Sequence, residues 1–177
     1  EYIISQMSLV SLRINCSSLP NSHLFYNTFI PNAHLQKLII TKGFSTHAAA
    51  QGFLKSYRNI RDLRIDHWTD ETSNEILISA ANNFRMLRTL SIPRVPTNPT
   101  ELPIPSLQSI HIEMIFNAAD FQAYASLHTN LRNISVKWIH EDLTHEIMDA
   151  ISSQLPRLET LTFGPNFDLT MRLHETL

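Results

Sequence analysis

Cysteine is all but missing from this chain: Cys16 is the only one in 177 residues, so no internal disulfide can form. That excludes the disulfide-stapled secreted folds and leads us to expect a reducing compartment, the cytosol or nucleus. Glycine is nearly as scarce, with only Gly43, Gly52 and Gly164. Phosphate loops and dinucleotide fingerprints need closely spaced glycines and are excluded. No apolar run approaches the roughly 20 residues of a membrane span, so no membrane partner is expected. Residues 1–7 lack the basic and then apolar pattern of a secretory leader. Neither charge dominates: 14 basic and 16 acidic residues leave a net charge of -2, with no lysine or arginine block to suggest nucleic acid. The chain opens on Glu1 rather than Met, and we expect it to be a piece of a longer protein.

What is abundant is aliphatic residues in one arrangement, aliphatic-x-x-aliphatic-x-aliphatic. It reads Leu9-Leu12-Ile14, Leu35-Leu38-Ile40, Ile60-Leu63-Ile65, Leu87-Leu90-Ile92, Leu107-Ile110-Ile112, Leu131-Ile134-Val136 and Leu158-Leu161-Phe163. The start-to-start intervals are 26, 25, 27, 20, 24 and 27 residues. In every triplet but one the residue between the last two apolar positions is polar or charged; Ile39 is the exception. Such alternation predicts a half-buried strand in each unit.

Helical patterns fill several intervals. Ser45 to Tyr57 carries good helix formers around Gly52. Asp70 to Phe84 offers Asp70, Thr72 and Ser73 as caps and places Ile76, Leu77, Ala80, Ala81 and Phe84 at helical spacing. Asn117 can cap a helix carrying Phe121, Tyr124, Ala125 and Leu127, and Glu141 to Leu155 aligns Leu143, Ile147, Ala150, Ile151 and Leu155. The shortest interval carries Pro96, Pro99, Pro103 and Pro105, which cannot sustain a helix.

A 20- to 27-residue strand-and-return unit is the mark of the leucine-rich repeat. The passages Ile60 to Glu71 and Leu131 to Asp142 resemble the cysteine-containing leucine-rich repeats of F-box proteins and, more loosely, ribonuclease-inhibitor-like repeats. The resemblance implies an α/β solenoid, a horseshoe arc with parallel strands on the concave face and helices or irregular segments on the convex one. Residues 1–177 would form a single domain of about seven repeats. The family's Cys or Asn, three residues after the last strand aliphatic, is matched only by Asn166; the other six positions hold Ser17, Gly43, Trp68, Val95, Ile115 and Ile139, apolar in the central repeats. Such repeats recruit substrates to cullin-type ubiquitin ligases through an F-box. No Leu-Pro-rich helical segment precedes Leu9, so an F-box, with its ligase adaptor and cullin, requires a segment upstream. The alternative role is a non-ligase adaptor or an innate-immune type of recognition protein.

On such a sheet the residues flanking the inward apolar positions point outward. A protein partner would then meet Arg13, Lys37, Asp62, Arg64, Asp66, His111, Glu113 and Lys137, with Arg64 between Asp62 and Asp66 and His111 beside Glu113 as the strongest groupings. Charged strand faces also commonly do no more than keep a protein soluble. Arg61, Arg88 and Arg132 share one position of their units and could form a basic edge. Trp68 and Trp138 fall just after their strands and are expected to fill core.

Catalytic constellations are missing from the pattern. His140 and His145 are five apart, whereas two zinc ligands on one helix face sit at i and i+4, and position 144 is Thr. Cys16 has no His at a fixed local spacing, and no Gly-x-Ser-x-Gly elbow occurs. We therefore expect no enzyme, no metal and no cofactor.

Overall fold

The computed structural model describes residues 9–15, 34–42, 54, 55, 57–66, 70–97, 99 and 103–165. Each triplet ends in a strand: β1 (Ser11–Asn15), β2 (Lys37–Lys42), β3 (Asp62–Ile65), β4 (Thr89–Arg94), β5 (Ser109–Ile115), β6 (Asn133–Ile139) and β7 (Thr160–Phe163). All seven lie in one parallel sheet in the order of the chain, so the fold is α/β. Among the described residues three α-helices lie between strands: α1 (Asp70–Asn83), α2 (Ala118–Leu127) and α3 (Thr144–Gln154), the last entered through a 3-10 turn at Glu141–Leu143.

Register follows the triplets. Leu12, Leu38, Leu63, Leu90, Ile110, Ile134 and Leu161 pair successively across the sheet. From Leu38 to Ile134 this column is wholly buried, whereas Leu12 and Leu161 are half-buried, because β1 and β7 each have a described neighbour on one side only. One irregularity departs from the expected pairing: Asn15 meets Lys42 rather than Thr41. The Thr41 hydroxyl instead donates to the Ile14 carbonyl at 2.9 Å, satisfying a backbone acceptor where the ladder slips.

A second ladder runs just ahead of the strands. The carbonyls of Val10, Gln36, Arg61, Arg88, Gln108 and Arg132 each accept two N–H groups from the next unit, at 2.7 to 3.0 Å. Four-residue turns lead into it, with Leu87, Leu107, Leu131 and Leu158 donating to Phe84, Ile104, His128 and Leu155. The turn residues Phe84, Ile104, His128 and Leu155, together with Tyr57, are all buried. They make a further core column three residues before the last five triplets. His128 fits there because its ring is satisfied: Ile104 N–H donates to Nε2 at 3.2 Å, so Nδ1 carries the proton and donates to the Tyr124 carbonyl at 2.7 Å.

The helices agree with the pattern that predicts them. In α1, Leu77 and Ala80 are buried, as is Phe84 just beyond it. Asn117 caps α2, its Oδ1 accepting from Ala119 at 2.8 Å and Asp120 at 3.4 Å, and Phe121, Tyr124 and Ala125 face inward. In α3, Ile147, Ala150 and Ile151 pack inward, and α2 and α3 lie against each other. No helix is described between β4 and β5, where the prolines lie, and Val95 and Ile104 enter the core there instead. Most of the helix expected over 45–57 lies outside the described residues, as do Cys16, Trp68 and Asn166. Among the described residues no helix is long and apolar enough to cross a membrane.

Gly164 permits the closest backbone approach. Its N–H donates to the Val136 carbonyl at 2.8 Å, and a Cβ there would stand 2.2 Å from the Lys137 carbonyl oxygen. A side chain at 164 would push the backbone away from β6.

Two outcomes follow from this core. Leu90→Ala, in the middle of the buried column, should lower unfolding free energy by about 2–5 kcal/mol, read by denaturant titration. Burial pushes the Tyr57 hydroxyl up to about 12 and raises that of Tyr124 as well. Their unfolded counterparts ionise near pH 10. Below pH 10 both states keep the protons and stability is unaffected; above it only the unfolded chain releases them, so stability should fall as pH rises from 10 to 12. Tyr57→Phe should flatten that fall in denaturation midpoints across this range.

Candidate functional site

The outward side chains of the seven strands form continuous columns. The central one runs Arg13, Ile39, Arg64, Ser91, His111, Ser135 and Thr162, and the one before it Ser11, Lys37, Asp62, Thr89, Ser109, Asn133 and Thr160. Parallel pairing without slippage holds neighbours in a column about 4.8 Å apart. All eight candidate residues lie on the outward side of this sheet, each exposed or half-buried.

Their groupings match the expected ones only in part: Arg64 meets Asp66, whereas Asp62, His111 and Glu113 find other partners. Asp62 does not turn to Arg64; it bonds Lys37, Nζ to Oδ2 at 2.7 Å, on the neighbouring strand. Arg64 donates through Nε to Asp66 alone. That hydrogen bond and the charge of Asp66 raise the Arg64 pKa further, with smaller contributions from Glu113 and Asp62. His111 does not pair with Glu113: its Nδ1 lies 3.0 Å from the Ser135 hydroxyl. Glu113 instead faces Lys137 at 3.7 Å, longer than a hydrogen bond. The physical reason is the same for Asp62, His111 and Glu113. In a parallel ladder the nearest side chain belongs to the same column of the next strand, whereas residues two apart on one strand are about 6.6 Å apart. Arg13 has no partner among the described residues.

Among the described residues nothing bonds the other ring nitrogen of His111, so the imidazole has no orienting partner of the kind an activated nucleophile needs. His140 Nδ1 lies 3.6 Å from Asp142, and His145 Nε2 lies 3.6 Å from Asp149, one turn further along α3. No group of three or more metal-ligating side chains converges among the described residues.

An aromatic cluster at the carboxyl ends of β5 and β6 is absent from the sequence reading. Trp138, expected to fill core after its strand, lies within β6 and is only half-buried. Its ring meets Phe116 at 6.0 Å and His140 edge-on at 5.9 Å, and Phe116 is 57% exposed. The cause is a change of phase. Burial falls on Ile110 and Ile112 and then Ile115, and on Ile134, Val136 and then Ile139. Three-residue steps leave Glu113 and Met114, and likewise Lys137 and Trp138, together outside the buried core. Arg94, Met114 and Trp138 pair in register across this end. The signal was present in Ile112-Glu-Met-Ile115-Phe116 and Val136-Lys-Trp-Ile139-His140, where the third buried residue follows by three rather than two.

Lys37→Ala or Asp62→Ala should change stability by less than about 1 kcal/mol, since both partners are solvent-exposed in part and screened. Denaturation at low and high salt reads this, and a larger loss would mean that the pair anchors the β2–β3 register.

No protein-family model matches this chain, and no curated protein matches it.

Proposed function

We propose that this chain is an arc of a leucine-rich-repeat solenoid of the F-box type, and that its outward strand face recognises a protein partner. The observation that carries this reading is the set of continuous outward columns, polar except at Ile39, across seven consecutive parallel strands. A sheet whose strands follow chain order, with a return segment between each pair, is how a solenoid builds an extended binding surface. Three ion pairs tether six of the eight candidate side chains, which lowers the entropy lost when a partner immobilises them. The aromatic cluster beside Glu113 and Lys137 supplies the type of residue on which interfaces concentrate energy.

Within this reading the protein binds rather than catalyses, works in the cytosol or nucleus, and needs neither metal nor cofactor. Recruitment of a substrate to a ubiquitin ligase rests on the resemblance of the repeats alone. The full-length protein, captured from its own cells with its bound proteins identified by mass spectrometry, tests both levels. A cullin and its adaptor among them supports the ligase role, and some other specific partner retires it in favour of an adaptor. Exchanging Arg64 and Asp66 (R64D/D66R) should leave stability within about 0.5 kcal/mol, since both are exposed in part. It should weaken the recovered partner at least tenfold, about 1.4 kcal/mol. Unchanged binding would overturn the assignment of this face.

A further inference from the structure

Across the sheet, charges that neighbour one another along a column are complementary. Lys37 stands beside Asp62, Glu113 beside Lys137, and Arg132 beside Glu159 at 2.8 Å. Arg157 donates to Asn130 in the adjacent unit at 2.8 Å. One place breaks this rule. Arg88 N–H donates to the Arg61 carbonyl at 2.8 Å, which sets two arginines in direct succession ahead of β3 and β4. Three residues earlier in each unit stand Arg58 and Arg85. All four are exposed, and among the described residues none has an acidic or hydrogen-bonding partner for its guanidinium.

Like charges opposite one another on neighbouring strands are destabilising. Arg85 follows the carboxyl end of α1, where the helix dipole favours a cation; Arg58, Arg61 and Arg88 have no such compensation. Asp62, the nearest carboxylate along the chain, is held by Lys37. Arg132, which shares the position of Arg61 and Arg88, is neutralised by Glu159 and so does not extend the patch.

We propose that Arg58, Arg61, Arg85 and Arg88 form a docking surface for an acidic segment of a partner protein. Guanidinium groups take carboxylates in paired hydrogen bonds, and four of them just ahead of two adjacent strands fit a short run of Asp or Glu. Met86, 38% exposed, lies between Arg85 and Arg88 in the chain and adds an exposed apolar side chain beside them. Arginine and methionine together are the composition of a protein interface. A nucleic-acid surface would call for a longer basic track with stacking aromatics, and the aromatic cluster lies at the opposite, carboxyl ends of β5 and β6. This surface is distinct from the columns of the strand face and stands or falls independently of them.

The test is fluorescence anisotropy of the full chain with a labelled peptide of repeated Glu-Glu-Leu triplets, against a Gln-Gln-Leu counterpart, oligothymidylate and phosphatidylserine vesicles. The acidic peptide should bind and weaken with rising salt, and the Gln peptide should not bind. Reversal by R61E/R88E, or neutralisation by R58Q/R61Q/R88Q, should cost at least tenfold in affinity with an unchanged far-UV spectrum. R132E/R157E carries the same change in net charge elsewhere and should cost little. Absence of peptide binding, equal losses in the two reversal variants, or tighter binding of oligothymidylate or vesicles would each overturn the proposal.

Discussion

The whole sheet depends on a row of carbonyls that precedes it. From Val10 to Arg132 each of six consecutive carbonyls takes two N–H groups of the next unit, so every strand enters at the same height as its neighbour. A slip of one residue would turn the apolar face outward, at a cost of about 1.5–3 kcal/mol for each large side chain exposed. The double acceptance sits outside the core, among exposed side chains, and leaves the identity of those side chains unconstrained. Arginine, glutamine and valine all occupy that row, because only the backbone is used.

From the register comes the arrangement of charge. Within the strands a side chain can meet its counterpart one unit away, some 20 to 27 residues along the chain; Arg64, bonded to Asp66 just past the end of β3, is an exception. Ion pairs such as Lys37–Asp62 and Glu113–Lys137 are therefore encoded between units. The same geometry makes the succession of Arg61 and Arg88 conspicuous, since the ladder leaves no room for them to be strangers.

Much of the fold was legible because strand and core are written in the same positions. The triplets predicted every described strand, and in the proline-rich interval between β4 and β5 no helix is described, as the prolines led us to expect. Asn117 was readable as a cap because its chemistry is local. Three features escaped. Buried Tyr57, Phe84, Ile104, His128 and Leu155 share a position, but a tyrosine and a histidine in it mask the aliphatic period. The slip that pairs Asn15 with Lys42 depends on one threonine hydroxyl reaching a carbonyl, which no period records. The half-exposed setting of Trp138 follows from a three-residue step beyond the strand alternation. Of the candidate site, the face was readable and the pairing only in part: Arg64 does meet Asp66, but Asp62, His111 and Glu113 pair across units rather than with the sequence neighbours expected for them.

A surface assembled this way has an evolutionary consequence. Each strand lends one letter to each outward column, and two strands away is already about 10 Å, where substitutions act independently. Neither the carbonyl row nor the buried column reads those letters. A new recognition specificity can thus be spelled by successive single changes, each judged on its own, with no intermediate that must first unfold.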